Sequence, residues 1–418
     1  MAPYRQDCSS AAAHPRLAAR LPALVERARA AAQQLQAAPE PEAAPILALP
    51  GRTSDLPAIQ ALARSLKALA REVVVLGMGG SSLGGQALTA LAGEAPGPGQ
   101  PGQPRLTFLD NLDPGRIEAL AGRLDARATA LLIISKSGGT METLAQALRL
   151  LPPFLGLPAE QRAARVLALT ENQDSALGRL ARRHGLTLLA HEPQLGGRFT
   201  VLSSVGLIPA ALAGLDIGAL RAGAAAVEAS GAPAEGAALA VAAMQAGLSQ
   251  QVLFVYADRL LPLARWWRQL WAESLGKGGL GQTPVPALGA VDQHSQLQLY
   301  LDGPADKLFT LVRVADGGGG ATLSRDLAEG DIAWLGGRRL GALFAAQGLA
   351  TRDSLREAGR PLREIVLPRL DAESLGALLQ HFLIETLLAA ALLGISPFGQ
   401  PAVEDGKRRT RALLEAGT

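Results

Sequence analysis

A glycine- and serine-rich segment over residues 77–85 has the composition of an anion-binding turn. It follows an apolar run at 73–76 and precedes a helical pattern, so its small residues would let backbone N–H groups at a helix N-terminus approach an anion. The segment is not G-x-G-x-x-G, because Ser82 occupies the position of the third glycine, and it is not a P-loop, because no G-K-[ST] follows. Taken alone, it fits a tight strand-to-helix turn as well as an anion site.

A second segment, residues 135–143, places hydroxyl groups and one cation after another apolar run. Ser135, Ser137 and Thr140 supply hydroxyl groups, Lys136 supplies the charge, and the glycines between them open the backbone. This set suits a monophosphate better than a nucleotide, because nothing nearby would hold a base or Mg²⁺. The alternative is capping of the following helix, but capping requires one hydroxyl group and the segment offers three. We therefore expect a monophosphate pocket here.

Short apolar runs alternate with helix-length segments over most of the chain, which is the pattern of a doubly wound parallel sheet. The first series predicts strands at 73–76, 106–109, 131–134, 166–169 and 186–189. The second series predicts strands at 252–256, 308–312 and 365–367, followed by a long apolar helix over 371–394. Apolar spacing also predicts helices over 15–37 and 56–71 and a helical region over 200–250. The fold class is therefore α/β, with two doubly wound parallel-sheet domains.

Four further segments complete a set of six motifs that lie in order between residues 70 and 410. They are 195–203 (LGGRFTVLS), 272–277 (AESLGK), 292–296 (DQHSQ) and 397–407 (PFGQPAVEDGK). Together with the two segments above, they resemble the phosphoglucose isomerase family. The resemblance implies two flavodoxin-like sugar isomerase domains at 45–195 and 251–396, a helical extension at 1–44, a helical connection at 196–250 and a C-terminal segment at 397–418.

The resemblance implies interconversion of glucose 6-phosphate and fructose 6-phosphate, a reaction of glycolysis and gluconeogenesis that moves a proton between adjacent carbons through an enediol(ate). One carboxylate can serve both carbons, and the resemblance gives this role to Glu273. Arg198 corresponds to the family's arginine near the enediolate oxygens, where a guanidinium keeps its charge. His294 corresponds to the ring-opening histidine, which in this family comes from the neighbouring subunit of a homodimer. Lys407 corresponds to the lysine associated with the ring oxygen.

The resemblance also divides the remaining site residues into two groups. The phosphate-binding group comprises Ser81, Ser135, Lys136, Ser137 and Thr140. The group around the rest of the sugar comprises Gly80, Glu142, Gly197 and Gln400. The reaction that the family catalyses implies neither a cofactor nor a metal.

Three positions depart from the family's usual pattern. Gly139 replaces a threonine of the phosphate loop, and Gly399 replaces an acidic or amide residue near the C-terminus. Ala402 replaces a glycine and would be strained if its backbone required a positive φ. These changes bear on substrate affinity and on the placement of Lys407.

Composition limits the other classes of function. The chain has 418 residues with 40 basic and 37 acidic side chains, and the net charge of +3 is too small to predict nucleic-acid binding. Cys8 is the single cysteine, and no Cys/His spacing resembles a zinc site. No apolar run approaches the roughly 18 uncharged residues needed to cross a bilayer, since the stretch 382–395 is shorter and carries Glu385. The alanine-rich N-terminus predicts an amphipathic helix rather than a transit peptide. We expect a cytoplasmic protein that binds a sugar phosphate but neither nucleic acid nor membrane.

Two alternatives stay open at this point. Sugar isomerase domains also serve as non-catalytic sensors, although a sensor would need the phosphate loop without Glu273 and His294, and no DNA-binding helix pair is evident. An isomerase that also accepts mannose 6-phosphate would carry the same motifs, because the shape of the pocket determines which configuration at C2 is accepted.

Overall fold

Strands and helices alternate along the chain in the computed structural model, which describes residues 3–93, 102, 104–315, 317 and 319–417. The strands are β1 (Arg5–Asp7), β2 (Glu72–Leu76), β3 (Arg105–Leu109), β4 (Thr129–Ile134), β5 (Val166–Thr170), β6 (Thr187–Ala190), β7 (Gln250–Tyr256), β8 (Thr283–Leu288), β9 (Lys307–Val314) and β10 (Leu362–Leu367). The helices are α1 (Ser9–Ala12), α2 (Leu21–Ala37), α3 (Ala44–Ala48), α4 (Leu56–Leu69), α5 (Gly80–Thr89), α6 (Pro114–Arg123), α7 (Met141–Leu150), α8 (Pro152–Leu155), α9 (Ala159–Arg165), α10 (Ala176–His184), α11 (Ser204–Leu212), α12 (Ile217–Ala225), α13 (Ala232–Gln245), α14 (Leu261–Leu275), α15 (Val291–Ser295), α16 (Leu297–Asp302), α17 (Leu340–Glu357), α18 (Ala372–Leu393) and α19 (Glu404–Glu415).

The first sheet has the strand order β3-β2-β4-β5-β6, and its strands are parallel. Every residue of β4 and β5 is buried, which explains why these runs are continuously apolar rather than alternating. The strand order reverses at β2, so the loops after β2 and β4 flank the crevice where sheets of this topology bind ligands. Both predicted anion-binding segments lie in these two loops.

The second sheet has the order β1-β10-β9-β7-β8, in which β7 to β10 are parallel and β1 runs antiparallel to β10. Two of its strands lie outside the sequence predictions. β1 consists of three polar residues, and it belongs to the segment predicted as purely helical. β8 contains Pro284 and Pro286, which cannot donate to a neighbouring strand. Both strands lie at an edge of the sheet, where missing donors and polar side chains are tolerated.

The remaining predicted elements are confirmed with small shifts at their ends. The helix predicted over 15–37 begins at Leu21, α4 ends at Leu69, and α18 covers nearly all of the predicted apolar helix. Helices α11, α12 and α13 fill the region predicted as helical. The doubly wound α/β architecture is therefore correct, while the division of the chain at 44/45, 195/196, 250/251 and 396/397 stays a prediction.

Helix α18 is long and apolar enough to cross a bilayer, and among the described residues it is the one helix that meets this criterion. Within the fold, 94% of its apolar window is buried. It packs against α2, α12, α13 and α14. Its composition therefore reflects a core position.

Helix α14 packs against elements of both sheets, and its C-terminal end lies at the candidate site. Its residues Trp266, Trp267 and Trp271 are buried. The helix packs against α5, which starts shortly after β2, and against β8. The C-terminal end of α14 is thereby fixed beside the ligand-binding edge of the first sheet.

A buried ion pair lies between β10 and α18. Arg363 Nη1 donates to Glu385 Oε2 at 2.6 Å, and both side chains are essentially inaccessible to solvent. His381 Nε2 lies 2.7 Å from the same oxygen, and the Tyr4 hydroxyl lies 2.8 Å from His381 Nδ1. Burial opposes ionisation of Glu385, but the charge of Arg363 and the bond to His381 prevail and lower its pKa. The network ties the N-terminal segment to the core of the second sheet.

Removing one partner of this pair should be more destabilising than removing both. We expect Glu385→Leu to lower the free energy of unfolding by about 3–5 kcal/mol, because it leaves the Arg363 charge buried without its partner. The double variant Arg363→Met/Glu385→Leu should lose clearly less, since no charge remains. Urea unfolding monitored by circular dichroism would measure both values. A double variant that is as unstable as the sum of the single variants would contradict this interpretation.

Candidate active site

The loop after β4 forms a cradle of hydroxyl groups. Ser135 Oγ lies 2.9 Å from Thr140 Oγ1, and Ser137 Oγ accepts a hydrogen bond from the Gly139 backbone N–H at 3.2 Å. Lys136 Nζ lies 3.4 Å from Glu171 Oε2. The structure therefore brings the predicted phosphate-binding residues of this loop together at the N-terminus of α7, where the helix dipole favours an anion.

Gly138 allows this loop to turn. Its φ is +63°, and a Cβ at this position would lie 1.9 Å from Ser175 Oγ. Both the backbone conformation and the space therefore require glycine. A Cβ at the neighbouring Gly139 would have Ser137 Oγ, at 4.0 Å, as its nearest neighbour.

The loop after β2 lies directly against the loop that carries Arg198. A Cβ on Gly80 would lie 2.0 Å from the Gly197 carbonyl oxygen, so only glycine permits this approach. Thr200 Oγ1 bridges the same two segments, at 2.7 Å from the Gly197 oxygen and 3.2 Å from the Gly80 oxygen. Ser81 follows in the first turn of α5. The phosphate side of the site and the Arg198 loop therefore form one surface.

Arg198 is buried, with 3% of its side chain exposed, and each of its five N–H donors has an acceptor. Nε donates to Ser274 Oγ at 2.8 Å, and Nη1 donates to Glu273 Oε2 at 3.0 Å and to Gln400 Oε1 at 2.9 Å. Nη2 donates to the carbonyl oxygens of residues 397 and 399. Burial lowers the pKa of Arg198, and the adjacent Glu273 opposes that shift.

Glu273 lies in the last turn of α14, with 30% of its side chain exposed. Its two oxygens have separate partners, since Oε2 accepts from Arg198 and Oε1 accepts from Gln269 Nε2 at 2.9 Å. The carboxylate is thus held in one orientation yet remains open to a ligand. Among the described residues, no group of three or more His, Cys, Asp or Glu side chains is placed to hold a metal ion.

Gln269 and Ser274 are site residues that the sequence analysis missed. Gln269 lies four residues before Glu273 on the same helix face, and a Cβ on Gly79 would lie 2.7 Å from its Nε2. It therefore connects Glu273 to the loop after β2. The i, i+4 spacing was the signal available in the sequence.

His294 and Lys407 make no hydrogen bond to Arg198 or Glu273 within the described part of the chain. His294 is exposed on α15. Lys407 is exposed on α19, where its Nζ lies 2.7 Å from Glu404 Oε1. Glu142 lies in the first turn of α7, beside the phosphate loop. Within one chain, hydrogen bonds thus join Arg198 to Glu273 and Gln400 but not to His294 or Lys407.

The strain considered for Ala402 is absent. Ala402 lies in a short 3₁₀ turn, and Gln194 is the one described non-glycine residue with a positive φ. Gly399 instead adopts a positive φ of +67° in this segment.

A hydroxyl cradle at the switch point of a doubly wound sheet, beside a carboxylate fixed by an arginine, is typical of α/β proteins that act on small phosphorylated ligands. The family model described as "Phosphoglucose isomerase" matches residues 62–283. The glucose-6-phosphate isomerase of Rubrobacter xylanophilus is 42% identical over 365 residues, covering 82% of this chain and 83% of the relative. That of Thermus thermophilus is 36% identical over 356 residues, covering 82% and 83%. The chain belongs to the phosphoglucose isomerase family.

Solved structures agree with this fold. A hypothetical protein of Thermus thermophilus superposes with a TM-score of 0.85 at 33% identity, covering 98% of this chain and 99% of that one. A glucose-6-phosphate isomerase of Chlamydia trachomatis gives a TM-score of 0.79 at 20% identity, covering 100% and 89%, and supports the fold alone.

The two adjacent glycines of the phosphate loop should respond differently to the same added methyl group. We expect Gly138→Ala to weaken binding of fructose 6-phosphate at least about tenfold, because the substitution is strained and collides with Ser175. Gly139→Ala is the matched control and should bind within about twofold of the unmodified protein. Isothermal titration calorimetry would measure both. Equal affinities for the two variants would show that the loop does not bind the phosphate.

Proposed function

We propose that the protein is a glucose-6-phosphate isomerase that interconverts glucose 6-phosphate and fructose 6-phosphate. The observation that carries this proposal is Glu273, a partly exposed carboxylate fixed on one oxygen by Arg198 and on the other by Gln269. Fixed orientation is what a base needs if it is to remove a proton from one carbon and return it to the next. Family membership identifies the substrate pair.

The hydroxyl cradle of Ser135, Ser137 and Thr140, with Lys136 and Ser81, binds the phosphate and sets the distance of the sugar carbons from Glu273. Glu273 removes the proton from C2 of the open aldose while the C1 carbonyl oxygen takes a proton from solvent water, which gives the enediol. O2 then returns a proton to solvent water, the C2 carbonyl forms, and Glu273 returns its proton to C1. No atom is gained or lost, and no electron acceptor is required.

Arg198 supplies the fixed positive charge for this step. Its Nη1 group lies between Glu273 and Gln400, so the charge is next to the carbons that exchange the proton. All of its donors are already bonded within the protein, so the guanidinium does not have to reorganise when negative charge develops on the substrate oxygens. It therefore acts on the enediolate through its electrostatic field.

Ring opening requires an acid–base group, and within the described part of the chain neither His294 nor Lys407 is hydrogen-bonded to Glu273. The two residues before His294 on α15 are hydrogen-bonded to the body of the protein. Asp292 Oδ2 accepts from the Leu288 backbone N–H at 2.7 Å, and Gln293 Nε2 donates to the Gln347 carbonyl oxygen at 3.1 Å. His294 therefore faces away from the chain. We propose a homodimer in which His294 of the partner subunit opens the ring, with Lys407 near the ring oxygen.

Exposed apolar side chains support the same assembly. Val291 and Leu299 flank His294 and are 60% and 51% exposed. Ile332 and Trp334, in the loop between β9 and α17, are 50% and 59% exposed. A second copy of the chain would cover such side chains. As an enzyme of glycolysis and gluconeogenesis, this dimer would act in the cytoplasm.

The base is tested by Glu273→Gln, which keeps the size and shape of the side chain and removes the proton acceptor. We expect kcat to fall by at least about a thousandfold, with binding of fructose 6-phosphate largely retained. Formation of glucose 6-phosphate, coupled to a dehydrogenase in the presence of EDTA, gives the rate. Glu160→Gln on the exposed surface of α9 is the matched control and should match the unmodified enzyme. Activity in Glu273→Gln close to that of this control would disprove the proposed base.

The shared site is tested by mixing two inactive variants, Glu273→Gln and His294→Ala. After subunit exchange at equal concentrations, half of the dimers are mixed, and each mixed dimer has one site free of both substitutions. The mixture should recover about a quarter of the unmodified activity. If the mixture stays inactive although mass spectrometry shows mixed dimers, His294 acts within its own chain or not at all.

A further inference from the structure

Lys277 holds the segment that precedes the C-terminal helix. Its Nζ donates to the carbonyl oxygens of Ser396 and Phe398, each at 2.6 Å. The side chain is half-buried. Burial lowers the pKa of Lys277, with a further contribution from the adjacent charge of Arg198. The ammonium group thus has well-placed backbone acceptors instead of a carboxylate partner.

Arg198 holds the alternate carbonyl oxygens of the same segment. Its Nη2 donates to Pro397 O at 2.5 Å and to Gly399 O at 3.1 Å, and its Nη1 donates to the next side chain, Gln400. Four successive carbonyl groups, from residues 396 to 399, are therefore bound alternately by two cationic side chains. We call this arrangement the carbonyl clamp.

Both side chains of the clamp are attached to the C-terminal end of α14, the helix that carries Glu273. Lys277 lies four residues after Glu273, directly beyond the end of α14, and its backbone N–H donates to the Leu275 carbonyl at 2.9 Å. Arg198 is bonded to Glu273 and Ser274 of the same helix end. A short series of hydrogen bonds thereby fixes the position of residues 396–399 relative to the Glu273 carboxylate.

The chain beyond the clamp has little other support. Apart from Asp405, every described residue of the C-terminal helix α19 is exposed. Among the described residues, the clamp and the adjoining bond from Arg198 to Gln400 are thus the last side-chain attachments to the rest of the protein before Lys407.

We propose that Lys277 is a positioning residue for the isomerase reaction, which orients Gln400 and the helix carrying Lys407 relative to Glu273 by binding the carbonyl groups of Ser396 and Phe398. The proposal rests on the proposed function. Lys277 itself touches neither the phosphate cradle nor the carboxylate, so its effect is transmitted through the clamped segment.

Steady-state kinetics of Lys277→Met provide the first test. We expect kcat to fall about tenfold to a hundredfold, because a displacement of about 1 Å in a catalytic group has effects of this size. KM for fructose 6-phosphate should stay within about threefold, since the phosphate cradle is unchanged. Lys277→Arg, which keeps a cationic donor, should recover part of the rate. Lys67→Met, on α4 and outside the candidate site, is the matched control and should leave kcat unchanged.

A double-variant cycle with Lys407→Met separates positioning from a general loss of structure. If Lys277 acts through the clamped segment, the double variant should lose clearly less rate than the product of the two single losses, because no catalytic lysine remains to be positioned and only the effect on Gln400 is left. Fully multiplicative losses in kcat would overturn the proposal. So would an unchanged kcat in Lys277→Met.

Hydrogen–deuterium exchange supplies a readout that does not depend on activity. In Lys277→Met, exchange in a peptide spanning 396–407 should be at least about tenfold faster, while the α14 peptide 261–275 should exchange as in the unmodified protein. Faster exchange without isomerase activity in the unmodified chain would contradict the proposed function but leave the clamp intact. Unchanged exchange in an active enzyme would contradict the clamp alone.

Discussion

The rest of the site depends on one constraint, which is that every N–H donor of the buried Arg198 guanidinium is hydrogen-bonded. A guanidinium that is removed from water is stable only when its donors are satisfied and its charge is balanced. Here five donors reach acceptors on two separate parts of the chain: Ser274 and Glu273 at the end of α14, and the side chain and carbonyl groups of residues 397–400. The single side chain therefore fixes Glu273 and the C-terminal segment relative to its own loop.

The fold delivers Arg198 to this position through close backbone contacts rather than through side-chain packing alone. The Gly197 carbonyl occupies the space that a side chain on Gly80 would need, and Thr200 bonds to both segments of that contact. Because α5 starts at Gly80 and packs against α14, the contact also sets how the two sheets meet. The loop after β2, at the switch point of the first sheet, is in this way connected to Glu273 on helix α14, which packs against β8 of the second sheet.

The sequence predicts the elements that are marked by their own residue pattern, such as an apolar run. It does not predict the elements that depend on their position in the folded protein. Buried parallel strands such as β4 are continuous apolar runs, so their positions follow from composition alone. β1 and β8 could not be found this way, since an edge position tolerates the polar residues of one and the prolines of the other. The same division holds within the site. Motifs identified Arg198 and Glu273, whereas Gln269 and Lys277 matter through hydrogen bonds that exist only once α14 and residues 396–399 have come together.

The backbone conformation explains why two departures from the family pattern, Gly399 and Ala402, are tolerated. Gly399 lacks the acidic or amide side chain usual at that position, but the contact made there to Arg198 comes from its carbonyl group, which every residue has. What glycine contributes is its φ of +67°, a conformation with little cost for glycine and a small one for asparagine. Ala402 occupies a turn of ordinary backbone conformation, so its methyl group introduces no strain. Four of the five hydrogen bonds that Arg198 and Lys277 make to this segment go to main-chain carbonyl groups, and the fifth goes to the side chain of Gln400. The residues at 399 and 402 therefore need no particular side chain to keep these bonds.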